Sequence, residues 1–166
     1  MDAVKYKGNV FNVDPNKKMI DQGKKKFNNI KNISWHLENS EKLSFKKNFF
    51  DYYSISFGLR NTKNIDQTLR EAYRVLKPGG RFLCLEFSKI ENSNLNLIYK
   101  NYSKLIPIIG NLVVGKKEPY EYLVESINKF INQEELIDCM KVCGFKNCSY
   151  RNLSGGIVAV HSGWKI

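Results

Sequence analysis

The order of apolar and polar residues predicts strands that alternate with helices along the first half of the chain. A short apolar run at residues 9–13 is typical of a strand. Pro15 then fits a first helical turn, where its missing N–H costs nothing. The residues expected on the buried face of this helix are Met19, Ile20, Gly23 and Phe27. Two runs rich in β-branched and aromatic residues, 33–37 and 50–57, predict the second and third strands.

The clearest helix signal follows the third strand. Thr62 or Asn64 can cap this helix. Its apolar face is predicted to contain Ile65, Leu69, Ala72 and Leu76. The helix is expected to stop at residues 77–80, because proline cannot continue it and glycine tolerates the turn. The nearly continuous apolar run 81–87 predicts a fourth strand that is covered on both faces, as in a parallel sheet.

The last third of the chain predicts helices and then a hairpin. Residues 95–131 have helical character in pieces, and Asn132 is expected to cap a further helix that Gly144 ends. Two short strands, 145–151 and 157–161, flank a Leu-Ser-Gly-Gly turn. The chain therefore predicts an open α/β sheet with helices on both faces and a C-terminal antiparallel hairpin.

Composition narrows the class of protein. A length of 166 residues with 42% hydrophobic residues fits one folded domain, so we expect residues 1–166 to form a single domain. The longest mostly apolar stretch, 105–114, is shorter than the ~20 residues that span a bilayer. The 4 cysteines are too few for a disulfide scaffold and show no paired C-x-x-C, so we expect reduced core thiols and no bound metal.

The formal net charge of +11 leaves two interpretations open. The lysines, which far outnumber the arginines, are either a solvated surface that reflects coding bias or a surface attracted to anionic membranes or nucleic acid. No arginine-rich or aromatic-basic stripe suggests base stacking or groove reading. We therefore expect no nucleic acid partner.

Polar side chains follow the first three predicted strands. They are Asp14 after the first, Asn39 and Ser40 after the second, and Ser56 at the end of the third. In open α/β sheets, ligands bind beyond the carboxyl ends of the strands. A carboxylate at Asp14 can accept hydrogen bonds from both hydroxyls of a ribose, each charge-assisted bond contributing ~1.5–3 kcal/mol. The alternative is that Asp14 only caps the following helix.

Several sequence strings occur in a fixed order along nearly the whole chain. They are D-P-N-x-x-M from Asp14, N-S-E-x-L-x-F from Asn39, S-F-G-L-R-N from Ser56, R-V-L-K-P-G-G-R from Arg74, L-E-F-S from Leu85, Y-x-Y-L-x-E-S-I from Tyr120 and G-G-I-V-A-x-H-x-G from Gly155. The string from Arg74 marks only the wider class I methyltransferases. The strings from Ser56 and Tyr120 are more specific, and together the set resembles the UbiE family of ubiquinone/menaquinone-biosynthesis C-methyltransferases.

The resemblance implies a Rossmann-like class I methyltransferase fold and S-adenosylmethionine-dependent C-methylation of a polyprenylated benzoquinol or naphthoquinol. By the same resemblance, Asp14 would hold the ribose of S-adenosylmethionine. Asn39 and Ser40 would lie beside the adenine, and Ser56 would line the cofactor pocket near its methionine end.

The string from Ser56 also contains the implied catalytic residues. Arg60 is the candidate for stabilising the phenolate form of the quinol, or for organising a water that takes the proton of the quinol hydroxyl. Asn61 is the candidate for orienting the same hydroxyl. The alternative for Arg60 is an ion pair with a nearby carboxylate such as Glu86. A helix over the site would line the quinol pocket with Tyr120, Tyr122, Glu125 and Ser126, although such a pattern also fits an ordinary core.

One family feature does not occur in the sequence. Family members have an earlier strand and a G-G-T-G-D loop that cradles the cofactor, but none of the 11 glycines here forms a G-x-G spacing. We therefore expect an N-terminally truncated domain without the first, central strand, inactive alone or dependent on a complementing fragment. The alternative is a non-catalytic interaction subunit that retains the fold.

The implied substrate also predicts a location and partners. An enzyme that acts on a substrate with a polyprenyl tail must work at a membrane surface. We therefore expect a cytoplasmic protein peripheral to the inner membrane, or one on the matrix side in a eukaryote. The broken apolar segment 99–114, with lysines around it, either docks there or packs on its own domain. Other expected partners are a complementing N-terminal fragment or further quinone-biosynthesis enzymes.

Overall fold

The computed structural model of the protein describes residues 8–90 and 118–166. Within these residues the strands are β1 (Val10–Val13), β2 (Ile33–His36), β3 (Phe50–Ser56), β4 (Leu76–Phe87), β5 (Lys146–Leu153) and β6 (Val158–Trp164). The helices are α1 (Lys17–Lys26), α2 (Ile65–Val75), α3 (Glu118–Lys129) and α4 (Gln133–Val142). The segment 99–114 and most of the predicted broken helices lie outside the described residues.

The strands form two sheets. β1 pairs in parallel with β2, and the second sheet has the order β3-β4-β6-β5. In this second sheet β3 and β4 are parallel, whereas β6 is antiparallel to both β4 and β5. The predicted α/β class and the C-terminal hairpin are therefore confirmed.

One edge of β1 and one edge of β3 have no strand partner among the described residues, because β1 pairs only with β2 and β3 only with β4. Aromatic side chains connect the two sheets there. The ring of Phe11 in β1 lies 5.2 Å from the ring of Phe50 in β3, and it also contacts Phe45 and Phe49. This arrangement agrees with the predicted absence of a strand between β1 and β3.

The start of α1 differs from the prediction. Its N-cap is Asn16, whose side chain accepts a hydrogen bond from the Lys18 N–H at 2.9 Å, so Pro15 precedes the helix instead of occupying its first turn. Ile20 is buried as expected, but Met19 is 53% exposed. The apolar face of α1 is therefore narrower than its sequence indicates.

The junction of α2 and β4 also differs from the prediction. Asn64 caps α2 as expected, accepting from the Gln67 N–H at 3.0 Å, but the helix ends at Val75. Leu76 has an extended backbone and begins β4, which runs through the Pro-Gly-Gly segment that was expected to be a turn. Two backbone hydrogen bonds hold this early part of the strand: the Gly79 N–H donates to the Lys165 carbonyl, and the Lys165 N–H donates to the Gly80 carbonyl.

The predicted ends of α4 are confirmed. The Asn132 side chain accepts from the Glu135 N–H at 2.9 Å, and the Glu135 carboxylate accepts from the Asn132 N–H at 2.8 Å. This reciprocal pair is a capping box. Gly144 follows the helix with a φ of 104°, a left-handed conformation that favours glycine.

The core lies between the four-stranded sheet and helices α2 and α4. Its members include Leu59, Leu69, Ala72, Leu76, Phe82, Phe130, Leu136, Met140 and Phe145. Cys84 and Cys143 also belong to it, and burial raises the pKa of both thiols, that of Cys143 to about 12. None of the helices within the described residues combines the length and apolar character needed to cross a bilayer.

Candidate active site

The carboxyl ends of β1 and β2 place two of the predicted cofactor residues at one edge of the smaller sheet. The Asp14 N–H donates to the His36 carbonyl at 3.1 Å, which continues the parallel ladder. Oδ1 of Asp14 accepts from the Asn16 N–H at 2.7 Å, so this carboxylate does stabilise the turn into α1. Its second oxygen has no hydrogen bond within the described residues and is available to a ligand.

Asn39 serves mainly to shape its own loop. Its Oδ1 accepts from the Glu41 N–H at 3.1 Å, and its amide donates to the Glu41 carboxylate at 3.3 Å. Glu41 in turn accepts from the Asn64 N–H at 2.7 Å, which ties this loop to the start of α2. The hydroxyl of Ser40 has no hydrogen bond among the described residues.

Ser56 lies at the end of β3 in the larger sheet, paired in register with Leu85 of β4. Its side chain is exposed and makes no hydrogen bond to the described residues. The chain then reverses through Phe57, which has a φ of 54°, into a short 3-10 turn, Leu59–Asn61. No hydrogen bond within the described part of the chain links Ser56 to Asp14, Asn39 or Ser40.

Arg60 in this turn is held by several groups at once. Its Nη1 donates to the Glu86 carboxylate at 2.9 Å and to the Phe57 carbonyl at 2.6 Å, and its Nε donates to the Ser126 hydroxyl at 3.3 Å. The guanidinium also lies 5.2 Å from the centre of the Phe87 ring. The ion pair with Glu86, the alternative open at the level of sequence, is therefore present.

This ion pair does not use all the donors of Arg60. A guanidinium has five N–H groups, and the side-chain hydrogen bonds involve only Nε and Nη1. Among the described residues, Nη2 has no hydrogen-bond partner. Arg60 can therefore pair with Glu86 and still offer two N–H groups to an anionic ligand.

Helix α3 contacts the turn through a second hydrogen bond. The Tyr122 hydroxyl donates to Oδ1 of Asn61 at 3.1 Å, while the Asn61 amide reaches the Phe57 carbonyl at 3.4 Å. Since Ser126 lies one helical turn beyond Tyr122, both side chains project toward the same turn. The predicted catalytic residues and two of the predicted pocket residues are thus brought together.

A cavity of about 220 Å³ opens beside this contact. It is lined by Arg60, Ile65, Tyr122, Glu125, Ser126, Lys129 and Phe130. Tyr120 is not among the lining residues, although it was predicted with the other three residues of α3. An ion pair of 2.6 Å between Glu125 and Lys129 lies at the cavity, and the hydrogen bond from Lys129 lowers the pKa of Glu125.

Sequence reasoning missed three residues of this cavity: Ile65, Lys129 and Phe130. Lys129 carried a signal, because it follows Glu125 by four residues on a predicted helix and that spacing favours an ion pair. The other two are apolar residues of ordinary helical faces, and nothing in their pattern separates cavity lining from core.

The comparisons with known proteins decide the family. The model of the ubiE/COQ5 methyltransferase family matches residues 1–165. The chain belongs to this family. The match therefore confirms the resemblance seen in the sequence over residues 1–165 of this ubiE/COQ5 family member.

Two curated relatives show the extent of the similarity. The chain is 50% identical over 161 residues to the mitochondrial 2-methoxy-6-polyprenyl-1,4-benzoquinol methylase of Dictyostelium discoideum, covering 92% of this chain and 51% of the relative. It is 50% identical over 157 residues to the ubiquinone/menaquinone biosynthesis C-methyltransferase UbiE of Rickettsia felis, covering 92% and 63%. The ubiE/COQ5 chain thus spans about half to two thirds of the length of these relatives.

Solved structures agree on the fold. A SAM dependent methyltransferase from Aquifex aeolicus superposes with a TM-score of 0.70 at 17% identity, covering 99% of this chain and 73% of that structure. A SAM-dependent methyltransferase from Thermotoga maritima superposes with a TM-score of 0.63 at 20% identity, covering 95% and 73%. The ubiE/COQ5 chain therefore has the class I methyltransferase fold that its sequence predicted.

Proposed function

We propose that this chain carries the quinol-binding part of an S-adenosylmethionine-dependent C-methyltransferase that acts on a polyprenylated benzoquinol or naphthoquinol. The observation that supports it most is that Arg60, Tyr122 and Ser126 line one cavity, where Arg60 bonds to Ser126 and Tyr122 bonds to Asn61. The names of the two relatives, a benzoquinol methylase and a ubiquinone/menaquinone C-methyltransferase, support the same substrate class.

The residues at the strand ends fit the cofactor chemically. Asp14 retains one carboxylate oxygen for a ribose hydroxyl, and Ser40 and Ser56 retain free hydroxyls within the described residues. When bound, S-adenosylmethionine supplies an electrophilic methyl group. Asp14, Asn39, Ser40 and Ser56 would hold it through its ribose, adenine and methionine portions.

Arg60 and Asn61 would activate the quinol. Attack by a ring carbon becomes faster when the neighbouring hydroxyl is a phenolate, because the ring is then richer in electrons. The permanent charge of Arg60 stabilises such an anion, and its Nη2 is available to bind it. Asn61, fixed by Tyr122, would orient the same oxygen, so that the turn aligns the ring carbon for attack.

The test of this proposal compares Arg60→Ala with a matched control, Arg70→Ala. Arg70 lies on the surface of α2 and, in the described part of the chain, pairs only with Asp66. Methyl transfer to a short-chain quinol and S-adenosylmethionine affinity by calorimetry are measured on the same preparations. We expect Arg60→Ala to reduce turnover by roughly 10²–10³-fold with little change in cofactor affinity. Equal losses in turnover and affinity, or equal effects of both variants, would contradict the assignment.

We also propose that the active protein needs an additional strand between β1 and β3. The unpartnered edges of these strands in the described residues, and the greater length of the relatives, support it. The experiment coexpresses the chain with the part of the Rickettsia felis relative that lies outside the matched region. A stable complex with higher cofactor affinity is expected. A cooperative melt and micromolar cofactor affinity of the chain alone would refute this proposal, and a complex without methyl transfer would favour the interaction-subunit alternative.

The proposed substrate class would bring the reaction to a membrane surface. A polyprenyl tail partitions into the bilayer, so the protein would approach the quinol headgroup from the adjoining aqueous phase. We propose a peripheral association with the inner membrane, on its cytoplasmic side or, in a eukaryote, its matrix side. The name of the Dictyostelium discoideum relative, a mitochondrial methylase, supports the second location for a eukaryotic protein.

A further inference from the structure

Helix α1 differs in charge from the other described helices. Its ten residues contain five lysines and one acidic residue, Asp21. On α2, α3 and α4, every arginine or lysine bonds to an acidic residue of the same helix. These pairs are Arg70–Asp66, Arg74–Glu71, Lys129–Glu125 and Lys141–Asp138. A general excess of lysine does not explain α1, because the lysines of the other described helices are matched by acids, whereas among the described residues only Lys17 of the five on α1 is.

The unmatched lysines lie on one side of α1. Lys17 pairs with Asp21 at 2.6 Å, whereas Lys18, Lys24 and Lys25 have no carboxylate within ion-pair distance in the described parts of the chain. Helical spacing places Lys17, Lys18, Lys24 and Lys25 on a common face, which we call the lysine face. Lys17, Lys24 and Lys25 lower the pKa of Asp21, Lys17 most strongly through its hydrogen bond, so this acid stays charged among them.

The lysine face is turned away from the protein. On the other side of α1, Ile20 is buried, and Gly23 lies directly against the ring of Trp35 in β2. Residues on the lysine face are exposed apart from the half-buried Asp21.

We propose that the lysine face of α1 docks on an anionic lipid surface. The inference rests on the proposed function, because it names the surface that would bring the enzyme to a substrate with a polyprenyl tail. Lysines within a Debye length of an anionic leaflet each strengthen binding by about fivefold. Three unpaired lysines therefore account for a factor on the order of 100-fold.

The chemistry of the face favours lipid over nucleic acid. It contains no arginine, the side chain whose planar guanidinium forms two parallel hydrogen bonds with a base or a phosphate. It also presents no free ring for base stacking, since the nearest rings, Phe27 and Trp35, stack on each other with centroids 6.4 Å apart. Exposed ammonium groups on flexible stems act as point charges, which match an anionic lipid headgroup layer.

The test measures binding of the full chain to vesicles by co-sedimentation. The vesicles contain phosphatidylcholine alone or with about one third phosphatidylglycerol, at about 0.1 M salt. The test variant is Lys18→Gln/Lys24→Gln/Lys25→Gln. The matched control, Lys46→Gln/Lys63→Gln/Lys146→Gln, removes the same charge from three exposed lysines outside α1. Thermal unfolding of both variants checks that the fold is retained.

We expect the wild-type chain to bind only the anionic vesicles, the test variant to bind on the order of 100-fold more weakly, and the control to lose less than about fivefold. Equal losses in the two variants, equal binding to neutral vesicles, or displacement of the vesicles by a duplex or single-stranded oligonucleotide would each overturn the proposal. Vesicle binding needs neither cofactor nor turnover. A lack of methyl transfer would therefore count against the proposed function alone.

Discussion

Arg60 and Glu86 form an ion pair of 2.9 Å in which the side chains are only 9% and 1% exposed. Glu86 also accepts from the backbone N–H groups of Arg60 and Phe87. One carboxylate therefore connects the turn after β3 to the end of β4. The candidate catalytic arginine is part of the internal structure of the domain as well as of its cavity.

This burial predicts a large effect of Glu86→Ala on stability. Removing one partner leaves the charge of Arg60 buried without compensation, which typically costs about 3–5 kcal/mol of unfolding free energy. Urea unfolding measures the change. Glu125→Ala is the control, because its ion pair with Lys129 is exposed and screened by solvent and is expected to contribute little to stability. A loss below about 1 kcal/mol for Glu86→Ala would show that the pair is not buried as described.

The hydrogen bond between Tyr122 and Asn61 predicts a smaller and more specific effect. Tyr122→Phe keeps the ring at the cavity but removes the donor that orients Asn61. A neutral hydrogen bond contributes about 1 kcal/mol, so we expect roughly a fivefold loss in kcat/KM for the quinol. The measurement needs an active preparation, alone or with a complementing segment.

Tyr120→Phe is the control for Tyr122→Phe. Tyr120 belongs to the same helix but does not line the cavity. The two variants remove the same atom two residues apart. If both reduce kcat/KM alike, or if cofactor affinity falls together with it, the hydroxyl of Tyr122 does not act through Asn61.

His161 predicts how stability depends on pH. It is 2% exposed, its Nε2 lies 3.2 Å from the Gln133 carbonyl, and its Nδ1 has no partner within the described residues. Burial lowers the pKa of His161 below its usual 6.5, because a second proton would be buried without an acceptor. The unfolded chain therefore binds this proton more readily than the folded one. Its contribution to stability is fully present above about pH 6.5 and decreases as the pH falls toward the folded pKa.

Urea unfolding between pH 7.5 and pH 5 measures this effect, in which one group changes stability by at most about 1.4 kcal/mol per pH unit. We expect His161→Gln to be less stable at neutral pH but to show a flatter slope. Glu38 and Glu71 do not obscure it, since their pKa values are lowered from 4.5 and their effect begins only below that pH. An unchanged slope in His161→Gln would show that His161 does not cause the pH dependence.

The sequence predicts those features that depend on neighbouring residues. Asn64 and Asn132 were identified as caps because a capping side chain bonds to backbone only three residues away. Leu76 was placed in the helix because its spacing continues the apolar face of α2. The structure assigns it to β4, where pairing with Phe50 and the bonds between Gly79, Gly80 and Lys165 override that periodicity. Those partners are distant in sequence and leave no local signal.

In the candidate site too, local motifs identify residues but not their contacts with residues distant in sequence. Motifs located Arg60 and Asn61, but they left the engagement of Arg60 with Glu86 open, since that contact joins residues 26 apart. The ammonium group of Lys165 donates to the carbonyls of Tyr73 and Leu76 at 2.7 and 2.8 Å, which closes the end of α2. A lysine near the C-terminus has no pattern that distinguishes this buried role from an ordinary surface position.

Asp14 has two separable roles, and a substitution can distinguish them. Its Oδ1 supports the turn at Asn16, while its other oxygen is free for a ribose in the described structure. Asp14→Asn keeps an acceptor for the Asn16 N–H but removes the charge. We therefore expect unfolding free energy to change by less than about 1 kcal/mol. S-adenosylmethionine affinity would fall by roughly 10- to 150-fold, the equivalent of about 1.5–3 kcal/mol for a charge-assisted bond.

Asp21→Asn controls for the loss of a negative charge nearby, since Asp21 lies on the lysine face and outside the strand ends. Calorimetric titration of the chain, with the complementing segment where it is needed, measures the affinities. If Asp14→Asn binds the cofactor as tightly as Asp21→Asn does, Asp14 only stabilises the turn into α1. A loss of stability equal to the loss of binding would mean that the affinity change reports unfolding and not the ribose contact.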